Sequence, residues 1–314
     1  MVTKHDRSVF EREIGITACF TFSLYGPGFT GSQLIEGIER AVGLGFRQIE
    51  LETIRDEQVA IFIGDGLRQV QTVLAEHGVT VPIFAAFNSA KQLVSPNPAE
   101  RAIGLEKFEQ SCAISVALGC PHIQIASAVP DELVGAAHPE YAGAPPERIV
   151  LPRGLTWAEL WAGNVDAMSQ AAAIAQRHKL LLSIEPRVNC VVGSVDAFLR
   201  MADQVSAANF GLSLDPVHAM RTGDDPVLAI AKSGSHLMKL ELGDPRETGI
   251  DHLAPGSGIL DWGEILVALD SVGYTGPLNL DAIVPNGEVA DAYMSGLQHI
   301  REVQRSGVGR GHDG

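Results

Sequence analysis

Basic charge is scarce in this chain of 314 residues: 23 Lys and Arg stand against 38 Asp and Glu, a net charge of −15. Without basic patches there is little to hold a phosphate backbone or an anionic membrane surface, so nucleic-acid and membrane partners are excluded as expectations. No apolar run reaches the ~18 uninterrupted residues of a spanning helix. The four cysteines, Cys19, Cys112, Cys120 and Cys190, form no CxxC pair and no zinc-type spacing. Free thiols in a reducing compartment are the expectation. The opening stretch, MVTKHDRSVFEREIG, carries charges where a signal peptide needs an apolar core. A cytoplasmic protein is expected. No Gly-rich dinucleotide or phosphate-loop fingerprint follows any apolar run, and no Pro/Ser-rich linker divides the chain.

What is present is a repeated rhythm, clearest at Leu180–Arg187, LLLSIEPR. A short apolar run ending in a carboxylate and a proline suits a strand buried on both faces, as in a parallel sheet covered by helices. Similar runs occur at 14–22 (IGITACFTF), 45–52 (GFRQIELE), 79–88 (VTVPIFAAFN), 120–128 (CPHIQIASA), 209–215 (NFGLSLD), 235–242 (SHLMKLEL) and 276–283 (GPLNLDAI). Helical stretches alternate with them: Ser32 is placed to cap one, Gly78 to end another, and Thr156 to cap a third. Eight βα units in about 290 residues predict an α/β protein with a single (β/α)8 TIM barrel. A doubly wound open sheet is the weaker alternative. The expected boundaries are an N-terminal arm at 1–12, the barrel at 13–305 and a flexible tail at 306–314. The segment 129–155, proline-rich and without period, reads as a long insertion after the fourth strand.

Four consecutive strands deliver acids at or near their carboxyl ends: Glu185, Asp215, Glu241 and Asp281. Glu50 does the same on the second. Strand ends of a barrel converge on one mouth, where barrel enzymes place their chemistry. Several carboxylates sharing a small cavity raise one another's pKa unless a cation offsets them. Hard oxygen donors in that number suit Mg2+, Mn2+ or a similar ion.

The motifs IEP at 184–186, LDPVHA at 214–219, PGSGILDW at 255–262 and GYTGPLNLD at 273–281 resemble those of the xylose-isomerase-like barrels. These are the sugar and sugar-phosphate isomerases and epimerases, with the related endonuclease IV branch. The resemblance implies one divalent metal ion, Mn2+ or Mg2+ with Co2+ as a further option, held at four positions. Glu185 and Asp215 match the first two. Glu241 stands where the family has a histidine three residues before an Asp, here Asp244, and Asp281 stands where it has a glutamate. It further implies proton transfer next to a carbonyl, with Glu185 and Asp281 as the acid/base pair, on a carbohydrate substrate in a dimer or tetramer.

His218 matches a family position that contacts substrate or metal, and His252 lies on a loop that approaches the substrate. Arg187 is expected to hold a substrate oxygen or phosphate, or to pair with Asp215. Lys239, on the same strand face as Glu241, reads as an interior partner that neutralises it. Glu50, Asn88 and Gln124 are candidates for binding sugar hydroxyls, against ordinary strand-end bonding or a salt bridge. His138 and Tyr141 in the insertion are read as a lid or an oligomer contact. The leading reading is a divalent-metal-dependent sugar isomerase or epimerase. The two altered positions keep open a lyase or dehydratase acting on a keto-sugar or keto-glycoside. A non-catalytic sugar-binding barrel and endonuclease-IV-like hydrolysis are weaker alternatives.

Overall fold

Strand residues alternate between two environments, and the alternation decides what fills the barrel. The computed structural model describes residues 9–134, 149–247, 249 and 251–308. Its strands are β1 Ile14–Ile16, β2 Leu51–Thr53, β3 Phe84–Ala86, β4 His122–Ala126, β5 Leu181–Glu185, β6 Phe210–Leu214, β7 Leu237–Leu242 and β8 Leu278–Leu280. They pair in parallel in the order β1-β8-β7-β6-β5-β4-β3-β2. The two ends of that order meet. Ile16 N–H donates to the Gln48 carbonyl and Glu50 N–H donates to the Ile16 carbonyl, both at 3.0 Å, bridging Ile16 and Ile49. The expected (β/α)8 barrel is the observed fold.

One set of strand residues, including Ile123, Ile125, Leu182, Ile184, Leu212 and Leu240, joins the helices in a continuous apolar core. The other set meets across the barrel and is polar. Lys239 Nζ on β7 donates to Glu50 Oε2 and to Gln124 Oε1 on β4, each at 2.7 Å, and Asn279 Nδ2 on β8 donates to Glu50 Oε1 at 2.5 Å. Strands β4 and β7 are not neighbours, so these contacts run through the interior. Gly15 on β1 leaves room for them, since a Cβ there would lie 2.3 Å from Asn279 Oδ1.

Helix starts follow from their caps. Thr30 and Gln33 form a reciprocal box before Gly31–Gly43, so this helix begins slightly earlier than a Ser32 cap predicts. Asn97 with Pro98 opens Pro98–Ala117, and Thr156 with Glu159 opens Trp157–Arg177. Gly78 takes the left-handed conformation at the end of Gly64–His77. All eight strands are shorter than their runs, and for two of them the reason is local. The first stops at Ile16 because helix Cys19–Tyr25 takes the remainder and buries Phe20 and Leu24. The third begins only after Pro82, which has no N–H for a ladder.

After β4 the chain makes a turn at Asp131–Leu133, and Val134 bridges Ile149. His138 and Tyr141 lie outside the described residues, as do 1–8 of the arm and 309–314 of the tail. Among the described residues no helix is long and apolar enough to cross a membrane. All four cysteines are free.

Candidate active site

The carboxyl ends of the strands carry a layer of acids directly above the Lys239 layer. Glu185 ends β5, and two residues on, Arg187 turns back to grip it. Arg187 Nε donates to Glu185 Oε1 at 2.8 Å and Nη2 to Oε2 at 2.9 Å, while Gln124 Nε2 donates to Oε2 at 2.9 Å. Burial alone would raise this carboxyl, but the guanidinium charge and its hydrogen bonds outweigh that and hold it below the usual range. Arg187 thus pairs with Glu185 rather than with Asp215, and its guanidinium lies over the Phe87 ring, 4.8 Å from the centroid.

Asp215 follows β6 and caps the short helix Pro216–Arg221, accepting from Val217 N–H at 2.8 Å. Its other oxygen lies 2.9 Å from His252 Nε2 and 3.5 Å from His218 Nε2. Burial opposes its charge, yet His252 and His218 hold it well below the ordinary carboxylate range. In return, the carboxylate overcomes the burial of His252 and pushes that imidazole up to about 10. Burial wins at His218, which is lowered, and its Nδ1 has no hydrogen-bond partner among the described residues. His218 Nε2 is also 3.8 Å from Glu185 Oε1.

Glu241 on β7 lies 2.8 Å from Lys239 Nζ. Burial and the neighbouring Glu185 charge nevertheless push it well above its ordinary value. Lys239 is thus the interior partner of Glu241, its charge only partly offsetting these effects. Asp281 follows β8, accepts from Thr17 Oγ1 at 2.5 Å, and lies 3.7 Å from His252 Nε2. His252 reaches the cluster because its loop is anchored. Asp244 exchanges backbone hydrogen bonds with Leu253, and its side chain accepts from the N–H groups of Gly256 and Leu260 and from Trp262 Nε1.

These groups face a narrow cavity of about 30 Å³ lined by Thr17, Ala18, Cys19, Glu50, Glu52, Ala85, Phe87, Glu185, Arg187, His218, Lys239, Glu241, His252 and Asp281. Three candidates from the sequence, Asp215, Asn88 and Gln124, are not among its lining residues. Asn88 is tied to Thr53 and Asp56, and Gln124 bonds Glu185 and Lys239 from below. Glu50 sits low in the lining with both oxygens bonded. The residue that sequence reasoning passed over is Glu52, on the same strand face as Glu50 and one layer nearer the mouth. The run 45–52 places both acids at the end of the second strand and period two puts them on one face, but only Glu50 is given a role from sequence. Thr17, Cys19 and Phe87 were missed because nothing in their local sequence distinguishes them.

Two donor groupings converge here. Glu185, Asp215 and Glu241 offer ligand atoms within 4.8 Å of one another, and so do Asp215, His218 and His252. Asp215 belongs to both. The carboxylates are therefore joined by the imidazoles of His218 and His252, which share Asp215 with them.

A family model described as "Xylose isomerase-like TIM barrel" matches residues 38–303. No curated protein matches the chain. Among solved structures, D-psicose 3-epimerase in the presence of D-fructose superposes with a TM-score of 0.69 at 19% identity, covering 94% of this chain and 98% of that one. The 3-keto-D-glucoside 4-epimerase from E. coli gives 0.70 at 16% identity, covering 93% and 100%. A xylose isomerase-like TIM barrel protein from Mycobacterium smegmatis in complex with magnesium gives 0.70 at 15% identity, covering 96% and 99%.

Proposed function

The chain belongs to the xylose isomerase-like TIM barrel family, and from that premise we propose that it is a divalent-metal-dependent sugar epimerase or isomerase acting on a keto-sugar. The observation that carries the reading is the pair of donor groupings sharing Asp215 at the mouth of the barrel. Epimerase neighbours of the same fold support the substrate class.

The residues fit a divalent cation. Glu185, Asp215, Glu241 and Asp281 supply hard oxygens and His252 supplies an imidazole, a mixed set that suits Mn2+ and Co2+ as well as Mg2+. When bound, the ion supplies positive charge that polarises the substrate oxygens and makes the neighbouring C–H acidic. Glu185 is prepared as a base, because Arg187 and Gln124 keep it ionised and fix its plane. Asp281, oriented by Thr17, is the partner that returns or takes the second proton. Burial of the whole cluster strengthens the charge interactions among these groups.

The unlike settings of these two acids favour one second reading. If Glu185 alone exchanges a proton with substrate, the outcome is elimination from a keto-sugar rather than epimerisation. For the assembly we propose a homodimer or tetramer, supported by exposed Leu151 and Trp157 and checked by light scattering.

The test is metal content of the purified protein and of Asp215→Ala, with deuterium uptake from D2O into D-fructose, D-psicose and D-tagatose. About one divalent ion per chain in the wild type, lost in Asp215→Ala together with exchange, is the expected result. A wild type that neither holds nor gains Mn2+, Co2+ or Mg2+ rules the reading out. Product identification by NMR separates an epimer from a dehydrated sugar.

A further inference from the structure

Glu52 is only 4% exposed, and its Oε1 is buried without a hydrogen-bond partner among the described residues. It lines the cavity beside Phe87, Cys19 and Thr17. A buried carboxyl oxygen left unbonded is costly, and in a cavity the missing donor is one that a ligand can bring. Its place in the barrel says which part of a ligand. In the strand order β2 lies four steps from β6 in either direction, so Glu52 faces Asp215 across the mouth. A sugar whose reacting carbons lie between Glu185 and Asp281 extends toward Glu52 with its remaining hydroxyls.

The charges around it define the chemistry further. Arg187 is held in a two-point pair by Glu185, Lys239 is shared between Glu50 and Glu241, and His252 pairs with Asp215. A phosphate or carboxylate reaching the β2 wall would meet Glu52 with the nearby cations already committed to other acids. A hydroxyl, which donates to a carboxyl oxygen and accepts from an acid proton, is matched. Resting on the epimerase reading above, we propose that Glu52 is a substrate-binding residue that hydrogen-bonds a hydroxyl remote from the reacting carbon, at a wall whose nearby cations are paired with other acids and so disfavour an anionic group. Burial, only partly offset by Arg187, pushes its acid up to about 8, which adds a donor to the acceptor at neutral pH.

The test uses the full-length, metal-loaded protein with Glu52→Gln, Glu52→Ala and Glu52→Lys, against D-fructose, D-psicose, D-tagatose and D-fructose 6-phosphate. KM and kcat are taken separately from solvent deuterium exchange, and melting curves establish folding. The wild type is expected to favour a free ketohexose over the 6-phosphate by more than about tenfold in kcat/KM. Glu52→Ala should raise KM at least about tenfold with a smaller loss in kcat, the pattern of lost hydroxyl recognition. Glu52→Gln, which keeps shape, donor and acceptor, should raise it less, and Glu52→Lys should narrow or reverse the rejection of the phosphate. An unchanged KM in Glu52→Ala, or a wild type preferring the phosphate, overturns the assignment while leaving the epimerase reading standing. If Glu52→Ala does not fold, a Glu52→Lys variant with the wild-type preference overturns it equally. A wild type that exchanges none of the four sugars removes both.

Discussion

Glu50 and Glu52 are two residues apart on one strand face, yet their surroundings treat their charges differently. Glu50 has an ammonium at 2.7 Å and an amide at 2.5 Å. Glu52 has no such partner, and burial pushes it up to about 8. That shift has a consequence for stability. In the unfolded chain the carboxyl titrates near 4.5, so below that pH both states hold the proton and folding is unaffected. Between about 4.5 and 8 the folded protein retains a proton that the unfolded chain has released, and stability falls as pH rises, by up to about 1.4 kcal/mol per unit. Above that window the loss is complete. Glu52→Gln carries no titratable proton and escapes the loss. With chelator present, its melting temperature should exceed the wild type's by a margin that widens from pH 5 to pH 8 and then levels. A margin independent of pH would refute the argument.

At the scale of elements, the loop after β7 shows why part of the site was readable and part was not. The runs ending at Glu185, Asp215 and Glu241 matched β5, β6 and β7 closely, because each is a strand buried on both faces whose end is marked by an acid. The motif PGSG was visible too, and Gly258 explains one glycine: a Cβ there would lie 2.2 Å from Asp244 Oδ1. What no local pattern could give is that Asp244 gathers this loop and thereby sets His252 against Asp215, since those contacts join residues far apart in sequence. The same holds for Arg187, whose partner depends on how the chain turns after Pro186. Asp244 offers only acceptors to three donors, two backbone N–H groups and the Trp262 indole. Asp244→Ala removes all three bonds and should cost about 3 kcal/mol. Asp244→Asn should be little better, because its amide would turn a donor toward a donor. Both variants should melt early, change Trp262 fluorescence and lose affinity for Mn2+. An Asn variant as stable as the wild type would show that the anchor is not the acceptor count.

Across the whole barrel, the interior is polar, with two stacked layers above the buried His122–Ser183 pair of β4 and β5. The lower holds Lys239, Glu50, Gln124 and Asn279, and the upper holds Glu52, Glu185, Asp215, Glu241 and Asp281. Branched apolar side chains usually fill such an interior, so one cation, 1% exposed and bonded to residues of β4, β7 and the start of β2, takes over the task of joining distant strands. Lys239 also sets the charge on which the upper layer rests. Its removal leaves Glu50 and Glu241 buried without a cation, a situation that costs about 3–5 kcal/mol when one partner of a buried pair is deleted. Lys239→Met should therefore lower the melting temperature by roughly 10 °C for a domain of this size. The cause is the uncompensated charge rather than a lost shape, so the triple variant Lys239→Met, Glu50→Gln, Glu241→Gln should recover much of that loss. Calorimetry of the two variants with chelator present decides the matter. If the triple variant melts no higher than the single one, packing around Lys239, and not its charge, is what holds the barrel together at its centre.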